Sequence, residues 1–298
     1  MDIESLRTFV WLCDTGSFSL TAGKLYISQS TVSKRIQELE KETGKRLVQR
    51  KKVGISLTNE GRIFERYARG ILQSHQNLLE ELKMGDAFSQ ALNIGVTCSF
   101  FQMHLKDALL AFGERYPDVA LHIVFGHSGD ILKKILSGEI DAAFVHHTLN
   151  YPGFDNLSLE ADELGLFSSC EDAEYESGIS VSELLKQKYL DTNFLYLPEI
   201  QMLSAYDGFP ALKVDIAVFS LSFLEKGSYY AILPKLLIQQ MKSEGNTRQD
   251  RIREIPIVDF ALPPVQNYAV MKKNNQSKPL QALLDWFRVA HIQQKQIL

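Results

Sequence analysis

Two groups of residues have the types and spacing to do chemistry. The first is Ser28, Gln29, Ser30, Thr31, Ser33, Lys34 and Arg35, a run of short hydroxyls, one amide and two cations behind a good N-cap at Ser28. Val32, Ile36 and Leu39 share one face at helical spacing, so the polar side chains, with Gln37, occupy the other. Short polar groups at the start of a helix can approach base edges in a major groove, while Lys and Arg meet phosphates. A merely solvated helix face would more usually carry Glu and Lys.

The second group lies where strands run into helices: Thr97, Cys98 and Ser99, then His127 and Ser128, then His146, His147 and Thr148, and finally Ser220 and Ser222 ahead of a helix. Backbone N–H groups and the helix dipole at such junctions favour an anion, and small hydroxyls beside imidazoles suit a carboxylate or phosphate. Each residue alone is equally a helix cap. Two sharper alternatives are weaker. A metal site from Cys98, His127, His146 and His147 lacks any supporting ligand spacing. A redox role for Cys98 needs a thiolate favoured by the helix dipole, against the simpler reading of a small pocket-lining or buried thiol.

These groups sit in an ordinary globular composition. The chain has 298 residues, 45% hydrophobic and 23% charged, which excludes disorder and fibrous repeats and allows two or three folding units. Cys13, Cys98 and Cys170 are odd in number and lack CxxC pairing, so no disulfide framework or structural zinc is expected and a reducing compartment fits. The N-terminus has no basic targeting region, and no apolar run approaches the roughly 18 residues of a membrane span, so the expected location is cytoplasmic. Charge is uneven: Lys24 to Thr58 holds nine Lys and Arg against three Glu, while the whole chain carries −4. That is the footprint of a polyanion-binding segment, or else a solvated face.

The elements that must position these residues follow from periodicity. Leu6, Phe9, Val10 and Cys13 form a helical stripe stopped by Gly16 and Ser17; Leu20 to Leu25 is a short second helix, and the helix after Ser28 is the third. From Thr58 to about Met84, Ile63, Tyr67, Ile71, His75, Leu78 and Leu82 make a seam along a proline-free helix, too long and too polar elsewhere for a core helix. Pairing with a second copy explains it, and would let two half-sites be read together. Gly85 ends this helix, and a short polar linker, Asp86 to Gln90, follows. Strands at Leu92–Val96, Ala120–Phe125 and Asp141–Val145 then alternate with helices at Phe101–Tyr116 and Asp130–Ser137, which implies a largely parallel sheet. A second set comprises Leu164–Ser168, a helix near Val181–Gln187, strands at Phe194–Leu197 and Val214–Val218, a helix from about Ser222, and Ala231–Leu233. Val265–Met271 and the helix around Leu280–Ala290 return to the first set.

The stretch LRTFVWLCDTGSFSLTAGKLYISQSTVSKRIQELEKETGKRLVQRKKVGISLTNEG resembles the winged helix-turn-helix of LysR-type transcriptional regulators. It carries the GSFS entry, the SQSTVS recognition segment, the LExxxG exit and the LTxxG ending in order; Thr21 stands where the family usually has alanine, and Val48 where it has Phe. LNIGVTCSF, ERYPDVAL, LSGEIDAAFV and EKGSYYAILP resemble the family's periplasmic-binding-protein-like effector domain, with Tyr229 in place of a second glycine after Gly227.

The resemblance implies an α/β protein with a winged helix-turn-helix at residues 1–58, a linker and dimerisation helix at 59–90, and an effector domain at 91–298. That domain divides into subdomain I, 91–162 and 264–298, and subdomain II, 163–263. It implies that Ser28 to Arg35 face DNA, with Arg50, Lys51 and Lys52 on the wing near phosphate or minor groove, and no cofactor. Implied partners are promoter DNA, a small anionic effector, further copies as homodimer or homotetramer, and RNA polymerase. No Walker loop, GxGxxG, HExxH or GxSxG speaks for an enzyme. Two alternatives stay open: a ligand-independent regulator with a vestigial cleft, and a small-molecule binding protein whose head serves for dimerisation.

Overall fold

The computed structural model describes residues 1–51, 54–83, 90–169, 175–192, 212–226, 229–243, 251–275 and 277–285. Lys52, Gly85, Cys170, Gly227, the expected strand at 194–197 and the end of the last helix lie outside them. The chain falls into two compact units, one of Met1–Asn93 with Pro117–His122 and Leu132–Asp141, the other of Ile94–Tyr116, Ile123–Ile131 and Ala142–Leu298.

In the first unit, α1 (Ile3–Thr15) starts where the Asp2 carboxylate accepts the Ser5 N–H at 2.7 Å, and stops at Gly16, whose φ of 65° is left-handed. The helices α2 (Phe18–Leu25) and α3 (Gln29–Thr43) are capped by Ser17 and Ser28. Tyr26 makes the turn between them at φ 54°. The stripe of α1 buries Leu6, Phe9 and Leu12, while Val10 and Cys13 are half-buried at its margin. They meet Val32, Ile36 and Leu39 of α3 and Ala22 of α2. Thr21 is fully buried, and its hydroxyl is satisfied by the Ser17 carbonyl at 2.8 Å and the Thr15 hydroxyl at 2.7 Å.

The wing is an antiparallel pair, β1 (Val48–Arg50) and β2 (Ile55–Leu57). The Glu40 carboxylate accepts the N–H groups of Leu47 and Val48 at 2.7 and 3.1 Å, fixing the wing to the end of α3. The long helix α4 (Asn59–Lys83) begins under a cap from Thr58, whose hydroxyl accepts the Gly61 N–H at 2.8 Å. A Cβ at Gly61 would lie 2.0 Å from the Leu47 carbonyl oxygen, so only glycine permits this approach. Phe64, Ala68 and Leu72 turn the inner face of α4 onto the helical core, Phe64 edge-on to Phe9 at 4.9 Å. Arg69 pairs with Glu65 and with Asp14 at the end of α1.

The α/β part runs through β3 (Gln90–Val96), α5 (Cys98–Phe100), a π-helical turn (Phe101–Leu105), α6 (Lys106–Arg115), β4 (Val119–Phe125), α7 (Ser128–Ser137), β5 (Ala142–Val145) and β6 (Phe154–Ser158). Next come β7 (Leu164–Ser169), α8 (Val181–Leu184), β8 (Leu190–Asp191), β9 (Leu212–Lys213), α9 (Ala217–Lys226), β10 (Ala231–Pro234), α10 (Lys235–Ser243), β11 (Ile252–Ile255) and β12 (Tyr268–Lys272). One sheet has the order β4-β3-β5-β12-β6, with β3 parallel to β5 and β12 antiparallel to both its neighbours. All four residues of β5 are fully buried, as a central strand covered on both faces requires.

The second sheet, β10-β7-β11, is antiparallel throughout. Its strands β10 and β11 run the same way, and the chain between them includes α10; the slot between them is filled by β7 running the other way. The expected strand over Val214–Val218 is also corrected: β9 ends at Lys213 and α9 begins at Ala217, because Ala217, Leu221 and Leu224 bury one helical face in the core. The edge strand β6 and the short β11 escape the sequence reading because neither carries a sustained alternation.

Candidate functional site

On α3 the cap is built first. The Ser28 hydroxyl accepts the Thr31 N–H at 3.1 Å and lies 2.7 and 2.8 Å from the hydroxyls of Ser30 and Thr31, so Ser28 is committed to starting the helix. Gln29 and Ser30 are exposed, and the Ser19 hydroxyl donates to Gln29 Oε1 at 3.1 Å, which steadies that amide. Lys34 is exposed, with Glu38 at 3.9 Å one turn on. Ser33 is half-buried and lines a groove with Gln37, Arg46 and Gln49, bringing the wing strand beside the helix. Arg46 and Gln49 were not singled out from the sequence; their position four and one residues ahead of Arg50 is the signal that was there.

Arg35 points elsewhere. Its Nη1 donates to the Thr8 hydroxyl at 2.9 Å and lies 3.7 Å from the Glu4 carboxylate, and its side chain is only 25% exposed. It ties α3 to α1. Lys51 is exposed at the wing tip, where its N–H bonds the Gly54 carbonyl; Arg50 contributes its backbone to β1.

In the α/β part, a cavity of about 560 Å³ gathers Thr97, Cys98, Ser99, His127, Ser128, His146 and His147 from the C-terminal ends of β3, β4 and β5. It also takes in Asp130, Thr192, Asp215 and Ala217. Thr148 is exposed and is not among its lining residues. Ser220 and Ser222 also lie away from it: both are inside α9, donating back to the carbonyls of Ala217 and Phe219 at 2.6 and 3.1 Å. The junction instead presents Asp215 and Ile216, displaced because α9 starts earlier than its sequence suggests.

Behind the cavity wall runs a buried polar chain that sequence spacing does not reveal. Asn267 is fully buried; its Nδ2 lies 2.7 Å from the Glu160 carbonyl and 2.7 Å from Asp162 Oδ2, and Asp162 meets His104 Nε2 at 2.9 Å. A carbonyl oxygen only accepts, so Nδ2 donates and Oδ1 faces His146 Nδ1 at 2.8 Å as the acceptor. Nδ1 therefore carries the ring hydrogen. Burial pushes the His146 pKa down to about 4, so at neutral pH the ring is neutral and Nε2 keeps a lone pair. The hydroxyls of Thr97 and Ser99 each lie 3.1 Å from that nitrogen. The lone pair takes one hydrogen, leaving the other hydroxyl to donate elsewhere. Ser128 Oγ accepts the His146 N–H at 3.3 Å and keeps its own hydrogen to give.

Burial also lowers the His147 pKa and raises that of the Cys98 thiol, the opposite of what a thiolate sensor requires. Tyr229 is half-buried against the core that holds Leu221 and Leu237, and is not among the residues lining the cavity.

Two family models match the chain: a LysR substrate binding domain over residues 85–291, and a bacterial regulatory helix-turn-helix protein of the lysR family over residues 3–62. The uncharacterized HTH-type transcriptional regulator YusT of Bacillus subtilis is 26% identical over 96% of this chain and 95% of its own. The HTH-type transcriptional activator IlvY of Salmonella typhimurium is 30% identical over 51% of this chain and 52% of its own. Among solved structures, CbnR, a LysR family transcriptional regulator, superposes with a TM-score of 0.63 at 19% identity, covering 97% of this chain and 98% of that one. Full-length CbnR in complex with its target DNA gives 0.62 at 19% identity, over 97% and 99% of the two chains. These structural likenesses establish the fold.

Proposed function

The chain belongs to the LysR family of bacterial transcriptional regulators, and on that premise we propose how its parts divide the work of a DNA-binding, effector-responsive switch. Residues 1–58 read the operator, 59–90 pair two copies, and 91–298 bind the effector. The five-stranded sheet, drawn from 90–158 and 268–272, supports a subdomain I at 91–162 and 264–298, and the three-stranded sheet, drawn from 164–169 and 231–255, a subdomain II at 163–263.

The observation that carries the reading is the exposed face of α3. Gln29, Ser30 and Lys34 stand out from a helix whose other face is fully buried in the core, beside the wing with Arg46 and Lys51. Gln29, Ser30 and Ser33 are the base-reading side chains, while Lys34, Lys51, Arg50 and Lys52 meet phosphate. A gel-shift titration with promoter fragments against random competitor DNA tests this. A complex that resists competitor and weakens steeply with salt is expected; equal affinity for random DNA overturns the assignment.

The outer face of α4 supports pairing with a second copy. Ile63, Tyr67, Ile71, Leu78 and Leu82 are 40 to 72% exposed, although the neighbouring face of the same helix is packed on the helical core. Apolar side chains in that seam gain most by burial against an identical helix, and a pair presents two reading heads to two half-sites.

The cavity is the effector site. Its size falls in the range of small-molecule pockets, which disfavours a ligand-independent protein with a filled cleft. An acid group of the effector takes the hydroxyl hydrogens of Ser128 and of Thr97 or Ser99. Binding shifts the protein between two arrangements only if the effector prefers one of them. A cytoplasmic location fits the reducing compartment suggested by the cysteines.

A further inference from the structure

We infer that the effector is a zwitterion, whose acid group rests on the cavity hydroxyls as proposed above and whose protonated amine is held by the Asp215 carboxylate. This rests on the reading of the cavity as the effector site and adds the charge of the second group.

The charge of the lining carries the argument. Asp130 and Asp215 both line the cavity, and among its described lining residues there is no lysine or arginine. Burial keeps His146 uncharged at neutral pH, and desolvation lowers the His147 pKa below that of a free imidazole, so neither supplies the missing cation.

Position sharpens the point. Asp130 is the third residue of α7 and Asp215 lies two residues ahead of α9, so each carboxylate sits at the positive end of a ten-residue helix. The protein's own acids already match those helix ends, and a simple anionic effector would meet the Asp215 carboxylate with no lysine or arginine among the described lining residues to offset it. Placing an unpaired anion there is costly, whereas an ammonium beside Asp215 gains a charge-assisted hydrogen bond. The hydroxyl groups answer the other half of the ligand. Because Asn267 fixes His146 as an acceptor at Nε2, one hydrogen from the Thr97 and Ser99 pair is consumed. The remaining hydroxyl and Ser128 supply two side-chain donors, enough for one carboxylate. Two donors with acidic side chains are the complement of an acid group and an amine on the same small molecule, such as an amino acid.

The test uses the full-length protein, the common L-amino acids, and for each the matching deaminated acid and decarboxylated amine, read by thermal shift and calorimetry. At least one amino acid is expected to raise the melting temperature, and its deaminated acid to bind at least about tenfold more weakly. Asp215→Asn is expected to weaken the amino acid by a similar factor and to leave the deaminated acid unchanged or tighter.

Gly129→Trp, which adds a ring at a lining position with no atom within 4 Å of its Cβ, is expected to abolish binding. An acid without an amine that binds the wild type as well as or better than the amino acid, and is lost in Gly129→Trp, overturns the inference and leaves the cavity reading standing. A ligand bound equally by wild type and Gly129→Trp overturns the cavity reading itself. An amine that binds as well as its amino acid overturns the zwitterion, and so does a panel in which no amine-bearing compound shifts the melt.

Discussion

Gln29 and Arg35 belong to one helix, yet their side chains meet different surroundings. Gln29 is exposed beside Ser19, whereas Arg35 is turned back onto Thr8 and Glu4 of α1. Replacing Gln29 by Ala should leave the melting temperature unchanged and cost about 1 to 3 kcal/mol in operator affinity, measured by gel shift against random DNA. Arg35→Ala should instead destabilise the helical head by about 1 to 2 kcal/mol in a urea melt, and lose DNA affinity through that loss of structure. A variant that melts normally but fails to bind would return Arg35 to the reading surface. At His146 the prediction is one of pH. The folded ring titrates near 4 and an unfolded one near 6.5, so between these values the unfolded chain holds the extra proton. This contribution to stability is complete above pH 6.5 and is lost as pH falls toward 4, by up to about 3 kcal/mol. Urea melts of wild type and His146→Asn at pH 7 and pH 5 check it: the difference between the two proteins should shrink at the lower pH.

Among the elements, α4 shows how one helix serves two surfaces. Its inner face is fixed by Phe64, Ala68 and Leu72 and by the backbone approach at Gly61, while its outer seam remains exposed. Gly61→Ala puts a methyl 2.0 Å from the Leu47 carbonyl oxygen, so it should destabilise the head by about 2 kcal/mol or more and loosen the wing. A thermal melt within error of wild type would show that the helix shifts at no cost. Ile71→Glu acts on the other face. It should leave the helix content by circular dichroism intact and yield a monomer in sedimentation velocity, with operator affinity falling at least about tenfold. A dimer that survives this change would place the pairing surface elsewhere. Element types were largely legible because each long helix and central strand carries its own period. The boundary errors came where one apolar run served two elements, as at Val214–Val218, where strand and helix share hydrophobic residues and only packing of Ala217 and Leu221 decides.

At the scale of the molecule, the basic stretch from Lys24 to Thr58 and the acidic remainder fit the proposed division between a DNA-reading part and an effector-binding part. The sequence by itself determined the helical head, its caps at Ser28 and Gly16, the polar face of α3 and the seam of α4. Each of these is a local matter of hydrogen-bond donors and period, written within a few turns of chain. It also named most of the cavity hydroxyls and imidazoles, since strand ends can be found one at a time. The tertiary structure decided which of those ends meet, and removed Thr148, Ser220 and Ser222 from that company. It turned Arg35 inward, set the strands of the second sheet antiparallel, and brought Asp215 to the cavity. Above all it joined His146 to Asn267 across 121 residues of sequence. No periodicity records such a contact, because a side chain's hydrogen-bonding role is fixed by partners that only folding places within 3 Å of it.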